Sequence, residues 1–222
     1  MQAPPSAFPL PSGLDLRPTP ELDEVLRIAA WINELARGDV NVDYTALFLG
    51  LLWSTTPEGA HLMSGVDEDG VDVAAILKRV GLSPEVREEV LGRAGSGEPF
   101  EIRKDPLSAS VREVLRRAAI VAREVGAPDT GSAVSKGGGD LTEVAPRHVL
   151  AVYFFRNPSD HDPQLHKAWG FDGPRWQARF RSLLEDAYPG EGEAWSVVVG
   201  GDASDSVPGS VLDAYPMDAG AR

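Results

Sequence analysis

Three of the chain's four histidines stand at 148, 161 and 166, and Asp160 and Asp162 flank the middle one. Imidazole and carboxylate are ordinary zinc ligands, and the same groups serve hydrolases as general acids and bases. The spacing argues against a shared metal. His161 and His166 are five apart with Pro163 between them, so they do not lie on one helix face as i, i+4 ligands would. No cysteine occurs, which removes thiolate zinc sites, iron–sulfur clusters, disulfides and a Cys nucleophile together. The acidic run from Gly65 to Asp72 resembles a calcium loop only at its start. A loop beginning at Asp67 needs a bidentate Glu at its twelfth position and meets Lys78 there, so a solvated loop is expected. The serines lack a G-x-S-x-G elbow and any ordered Ser, His, Asp set. Glu88 and Glu89 adjoin Arg87 and Arg93 and read as surface charges on a short helix. These residues predict no cofactor, no metal and no catalytic set. The competing reading is part of a hydrolytic enzyme whose site draws on the His-rich segment.

Charge and hydropathy restrict the partners. The 222 residues carry 21 Lys and Arg against 34 Asp and Glu, a net charge of -13. Repulsion from phosphate opposes nucleic-acid binding and attachment to an anionic membrane surface. The longest apolar uncharged run, Tyr44 to Pro57, falls short of the ~20 residues a membrane span needs, so one buried helix is expected there. The first nineteen residues lack a basic and apolar leader and are rich in proline, which predicts an extended arm over 1–19. With no cysteine, this fits a cytoplasmic protein.

What must position any site is a set of helices, and they repeat. LDEVLRIAA at 22–30 and VREVLRRAA at 111–119 are identical at six of nine positions, at an offset of 89. Leu22, Val25, Leu26, Ala29 and Ile32 form an apolar stripe, and Val111, Val114, Leu115, Ala118 and Val121 form the same stripe in phase. Val42 then leads into YTALFLGLLW, as Val144 leads into PRHVLAVYFF. A third unit, 71–82, matches 160–171, with Gly81 and Gly170 as C-caps again 89 apart. A fourth helix through Val86, Val90 and Leu91 matches one through Trp176, Phe180 and Leu183. The expectation is an all-α fold of two tandem four-helix repeats with pseudo-two-fold symmetry. Repeat 1 spans 20–92, a linker 93–108, and repeat 2 spans 109–187 with a loop insertion at 129–141. From 188 to 222 the composition predicts an acidic flexible tail, in which only Trp195 to Val199 suggests a short strand.

This order of elements, with the junction VLGRAGSGEPFEIRKDPLSASVREVLRRA between the halves, resembles the Clp N-terminal repeat domain that fronts bacterial Clp chaperones. The likeness covers about residues 20 to 187. No G-x-x-x-x-G-K-[ST] string occurs, and SKGGGD places its Lys before the glycines, so the ATPase of those machines is missing from this sequence. The resemblance implies a non-catalytic module that binds a protein or peptide partner, such as a substrate, adaptor or regulator. The acidic composition of the tail suggests a tether to a C-terminal effector domain of the same polypeptide, the alternative being a plain disordered C-terminus. The family's second helix opens with Thr-Glu-His. Here the openings are Tyr44, Thr45, Ala46 and Pro146, Arg147, His148, so only His148 keeps the pattern. The resemblance makes Tyr44, Thr45, Pro146, Arg147 and His148 the candidate protein-binding residues, with His148 a buried, hydrogen-bonded buttress. Thr45 and Arg147 replace the acids that relatives use to recognise phosphorylated arginine, and that specificity is not expected.

Overall fold

Short polar side chains set the starts of α1, α2 and α6, ahead of their apolar runs. The computed structural model describes residues 8–11, 13–69, 73–79, 81–83, 85–96, 106–126, 141–155 and 173–199. In chain order these form β1 (Leu16–Pro18), α1 (Pro20–Arg37), α2 (Tyr44–Trp53), α3 (Pro57–Asp69), α4 (Val73–Arg79) and α5 (Val86–Ser96). There follow α6 (Ala109–Gly126), β2 (Thr142–Val144), α7 (Pro146–Phe155), α8 (Gly173–Ala187) and α9 (Gly192–Val199). Among the described residues, regular structure is almost wholly helical, as expected for the all-α class. The Thr19 hydroxyl accepts the Leu22 N–H at the head of α1, the Asp43 carboxylate accepts the Ala46 N–H at the head of α2, and the Ser108 hydroxyl accepts the Val111 N–H at the head of α6. Gly81 ends α4 at φ +82, with its N–H on the Lys78 carbonyl and the Leu82 N–H on that of Leu77, the two bonds of a Schellman stop.

The core lies between α1, α2, α6 and α7. All ten residues of the two apolar stripes are buried, and Leu26 and Leu115 are fully so. Gly50 lets α2 settle on α1: a Cβ there would stand 2.6 Å from the Val25 carbonyl oxygen. Across the middle, the Tyr44 and Tyr153 rings sit 4.7 Å apart, and the Tyr153 hydroxyl donates to the Tyr44 carbonyl at 3.1 Å. Two parallel backbone pairings tie the helix heads together. Leu16, Arg17 and Pro18 pair with Thr142, Glu143 and Val144, and Val42 pairs with Leu107. Within the arm, Leu16–Pro18 is thus extended and held in place, with Phe8, Leu14 and Leu16 buried. Outside this centre α5 lies on α1, α8 on α7 and α3, and α9 on α6, α7 and α8.

Four expectations are corrected. The apolar run does not form one helix from 44 to 57. The Ser54 hydroxyl donates to the Leu51 carbonyl, and the Thr56 hydroxyl accepts the Gly59 N–H, so a new helix starts on Pro57. Among the described residues of 20–96 there are therefore five helices where four were expected for the first half. Gly65 to Asp69 are the end of α3, not loop, and α5 runs to Ser96, past the expected boundary at 92. Finally, Trp195 to Val199 is helical, and the stretch from Tyr188 to Val199 is packed against the helices instead of trailing from them, because Trp195, Val198 and Val199 bury their side chains there. The expectations for the insertion at 129–140, the linker at 97–105, Gly170, and the tail at 200–222 lie outside the described residues.

Candidate functional site

The heads of α2 and α7 carry the five candidate residues, and packing puts them in two places. Tyr44 meets Tyr153, which stands seven residues along α7 from Pro146, a rise of about 10 Å. Thr45, half-buried, borders a small cleft whose walls include Ile32, Asn33, Ala36, Leu49 and Leu82. Arg37 and Asp43 line the same cleft and form an ion pair at 2.6 Å. The result is a shallow, mostly apolar dimple with a charged rim, with room for little more than a water molecule.

At the head of α7 the sequence offers no Ser, Thr, Asp or Asn at position 145, and His148 supplies the missing acceptor. Its Nδ1 takes the Ala145 N–H at 3.0 Å, which places the ring proton on Nε2. The ring is buried and stacks on Trp195 at 5.6 Å. Burial, and secondarily the Arg147 charge, push its pKa down to about 3. A neutral imidazole with Nδ1 engaged has no free lone pair with which to take a substrate proton. His148 is thus a buried, hydrogen-bonded residue at the head of α7. His161, His166, Asp160 and Asp162 lie outside the described residues. His61, the fourth histidine, joins α3 to α8 through a 2.7 Å hydrogen bond between its Nε2 and the Arg179 carbonyl.

Arg147 is engaged within the chain. Its Nε and one terminal nitrogen donate to the two oxygens of Glu191 at 3.0 and 2.9 Å, and its guanidinium lies 4.5 Å from the centre of the Tyr188 ring. Glu191 also accepts the Trp195 indole N–H at 3.0 Å, and the Tyr188 hydroxyl donates to Glu58 at 2.7 Å. Burial and the Glu58 carboxylate hold the Tyr188 phenol well above its ordinary pKa. Glu58 is itself buried, in the first turn of α3, where the helix dipole favours its charge.

Sequence reasoning missed Glu58, Tyr188 and Glu191, and read Trp195 as part of a docking strand instead of a helix. Two signals for them existed. Thr56 followed by Pro57 is a helix start, and Glu191 and Trp195 stand at i, i+4. Comparison of the chain with family models, curated proteins and solved structures finds no match.

Proposed function

We propose that the chain is a non-catalytic, protein-binding module of the Clp N-terminal repeat type, acting in the cytoplasm for a larger machine. The observation that carries this reading is the pair of crossed backbone pairings. Pro18 pairs with Val144, and Val42 with Leu107. Leu107 is 89 positions after Pro18, the offset of the first helices. Val144 is 102 positions after Val42, and the extra thirteen are the inserted residues 129–141. The two pairings match as a pseudo-two-fold reading requires, and the hydrogen bonds are spaced alike. Thr19 donates its N–H to the Val144 carbonyl at 2.9 Å, and Ser108, 89 residues later, donates to the Val42 carbonyl at 3.0 Å. Thr19 and Ser108 also cap their helices alike.

In this reading the surface around Thr45 contacts an unstructured polypeptide. The test is a titration of the isotope-labelled chain with a permanently unfolded protein, reduced and alkylated lactalbumin, followed by amide chemical shifts. Saturable shifts centred on Ala36, Thr45, Leu49 and Leu82 are expected. The absence of saturable shifts overturns the reading.

A further inference from the structure

The stretch Tyr188–Val199 lies on the head of α7 as a peptide ligand would, and Glu191, Trp195, Val198 and Val199 each have a counterpart in, or are buried against, the surface beneath. Glu191, just ahead of the helix, offers its carboxylate to the Arg147 fork. Four residues on, Trp195 enters between His148, stacked at 5.6 Å, and Phe180, edge-on at 5.6 Å. At the far end Arg181 donates to the Val199 carbonyl at 2.9 Å, an acceptor that the end of a helix leaves open. Val198 and Val199 are buried. An eight-residue helix does not hold itself together in water, so α9 is helical because this groove orders it. Its tether, Tyr188-Pro189-Gly190-Glu191, is a turn without apolar anchors of its own beyond Tyr188.

From this fit we propose that the groove formed by α6, α7 and α8 is a helix-recognition site, and that α9 is a resident ligand exchangeable for a partner protein's helix. That helix carries a carboxylate four residues before a tryptophan, with small branched apolar residues three and four positions after the tryptophan. Arg147 and Arg181 read its two ends, and His148 and Phe180 read the indole. The inference rests on the protein-binding reading and names a partner chemistry for its second face. Because α9 is tethered, a free competitor works against an effective concentration in the millimolar range. A partner therefore binds weakly until α9 is released.

The test uses the full chain and a fluorescein-labelled synthetic peptide of residues 188–199, followed by anisotropy. The Glu191→Lys, Trp195→Ala double variant, whose own α9 is weakened, is expected to bind the peptide at least about tenfold more tightly than the parent chain. Adding Arg147→Glu abolishes that gain, and a peptide carrying Glu191→Arg recovers part of it. Equal binding by parent and double variant, with circular dichroism unchanged, overturns the proposal. Should the variants not fold, native-state hydrogen exchange of the parent chain decides. Exchange at Trp195, Val198 and Val199 through an opening easier than that of Leu115 and Ala118 is required, and equal protection overturns exchangeability. Binding of unfolded lactalbumin without any gain for the helix peptide removes this inference alone, whereas loss of both removes the module reading too.

Discussion

Arg147 and Glu191, 44 residues apart, are joined by two side-by-side hydrogen bonds of 3.0 and 2.9 Å. The side chains are 22% and 32% exposed, so solvent weakens the pair without dissolving it. Arg147→Met is expected to cost about 1 to 2 kcal/mol, the range for a hydrogen bond to a charged group discounted for exposure. Glu191→Gln on that background should cost clearly less than on the parent. Urea unfolding of the four members of this cycle measures the coupling, and strict additivity contradicts it.

Leu26 and Leu115 are fully buried in corresponding stripes of α1 and α6. Replacing either by Ala is expected to destabilise by about 2 to 5 kcal/mol, and denaturant titration of each single variant checks the figure. A loss below about 1 kcal/mol at either position contradicts its place in the core.

Gly50 tests packing against propensity. Ala in a helix interior ordinarily gains about 1 kcal/mol over Gly. Here the new Cβ would meet the backbone oxygen of Val25 at 2.6 Å, which no side-chain movement relieves. Gly50→Ala is therefore expected to lower stability by about 1 to 3 kcal/mol, with a lower thermal midpoint than the parent.

His148 makes stability depend on acid. Its folded pKa, about 3, lies below the unfolded value near 6.5, so the folded state favours the neutral ring. The stabilisation from that ring is complete above pH ~6.5 and declines, by up to about 1.4 kcal/mol per unit, as pH falls toward 3. His148→Gln keeps an acceptor for the Ala145 N–H and removes the titration. Its unfolding free energy should fall less steeply than the parent's between pH 6.5 and 4, and parallel slopes contradict the assignment.

Phosphoarginine should not bind. Thr45 carries no charge, and Arg147, itself a cation, is already paired with Glu191. Calorimetry with the free phosphoamino acid is expected to show no saturable heat at micromolar concentration. Such heat would mean that other carboxylates receive the guanidinium.

Periodicity sufficed for whatever depends on neighbours one or two turns away. The stripes of α1 and α6, the all-apolar α2, the stop at Gly81 and the burial of Trp176, Phe180 and Leu183 all follow from spacing, because a helix puts residues three and four apart on one face. So did the salt-bridged face of α6, where Glu113 pairs with Arg116 and Arg117, and the Glu89–Arg93 pair on α5. The break at Ser54 was also written locally, in Thr56 and Pro57, but continuous apolar character obscured it.

Tertiary structure alone decided the rest. Val198 and Val199 favour extended backbone in isolation, and they are helical because burial against α6 and α7 outweighs that small preference. Nothing near Arg147 in sequence announces Glu191, and nothing near His148 announces Trp195. Both pairings arise only when the turn at Tyr188–Glu191 carries α9 back onto α7. The arm's tie to β2, across more than 120 residues, is likewise a product of helix packing that brings two extended segments edge to edge. The types of contact available were set by the amino acids, and their partners by where the helices came to rest.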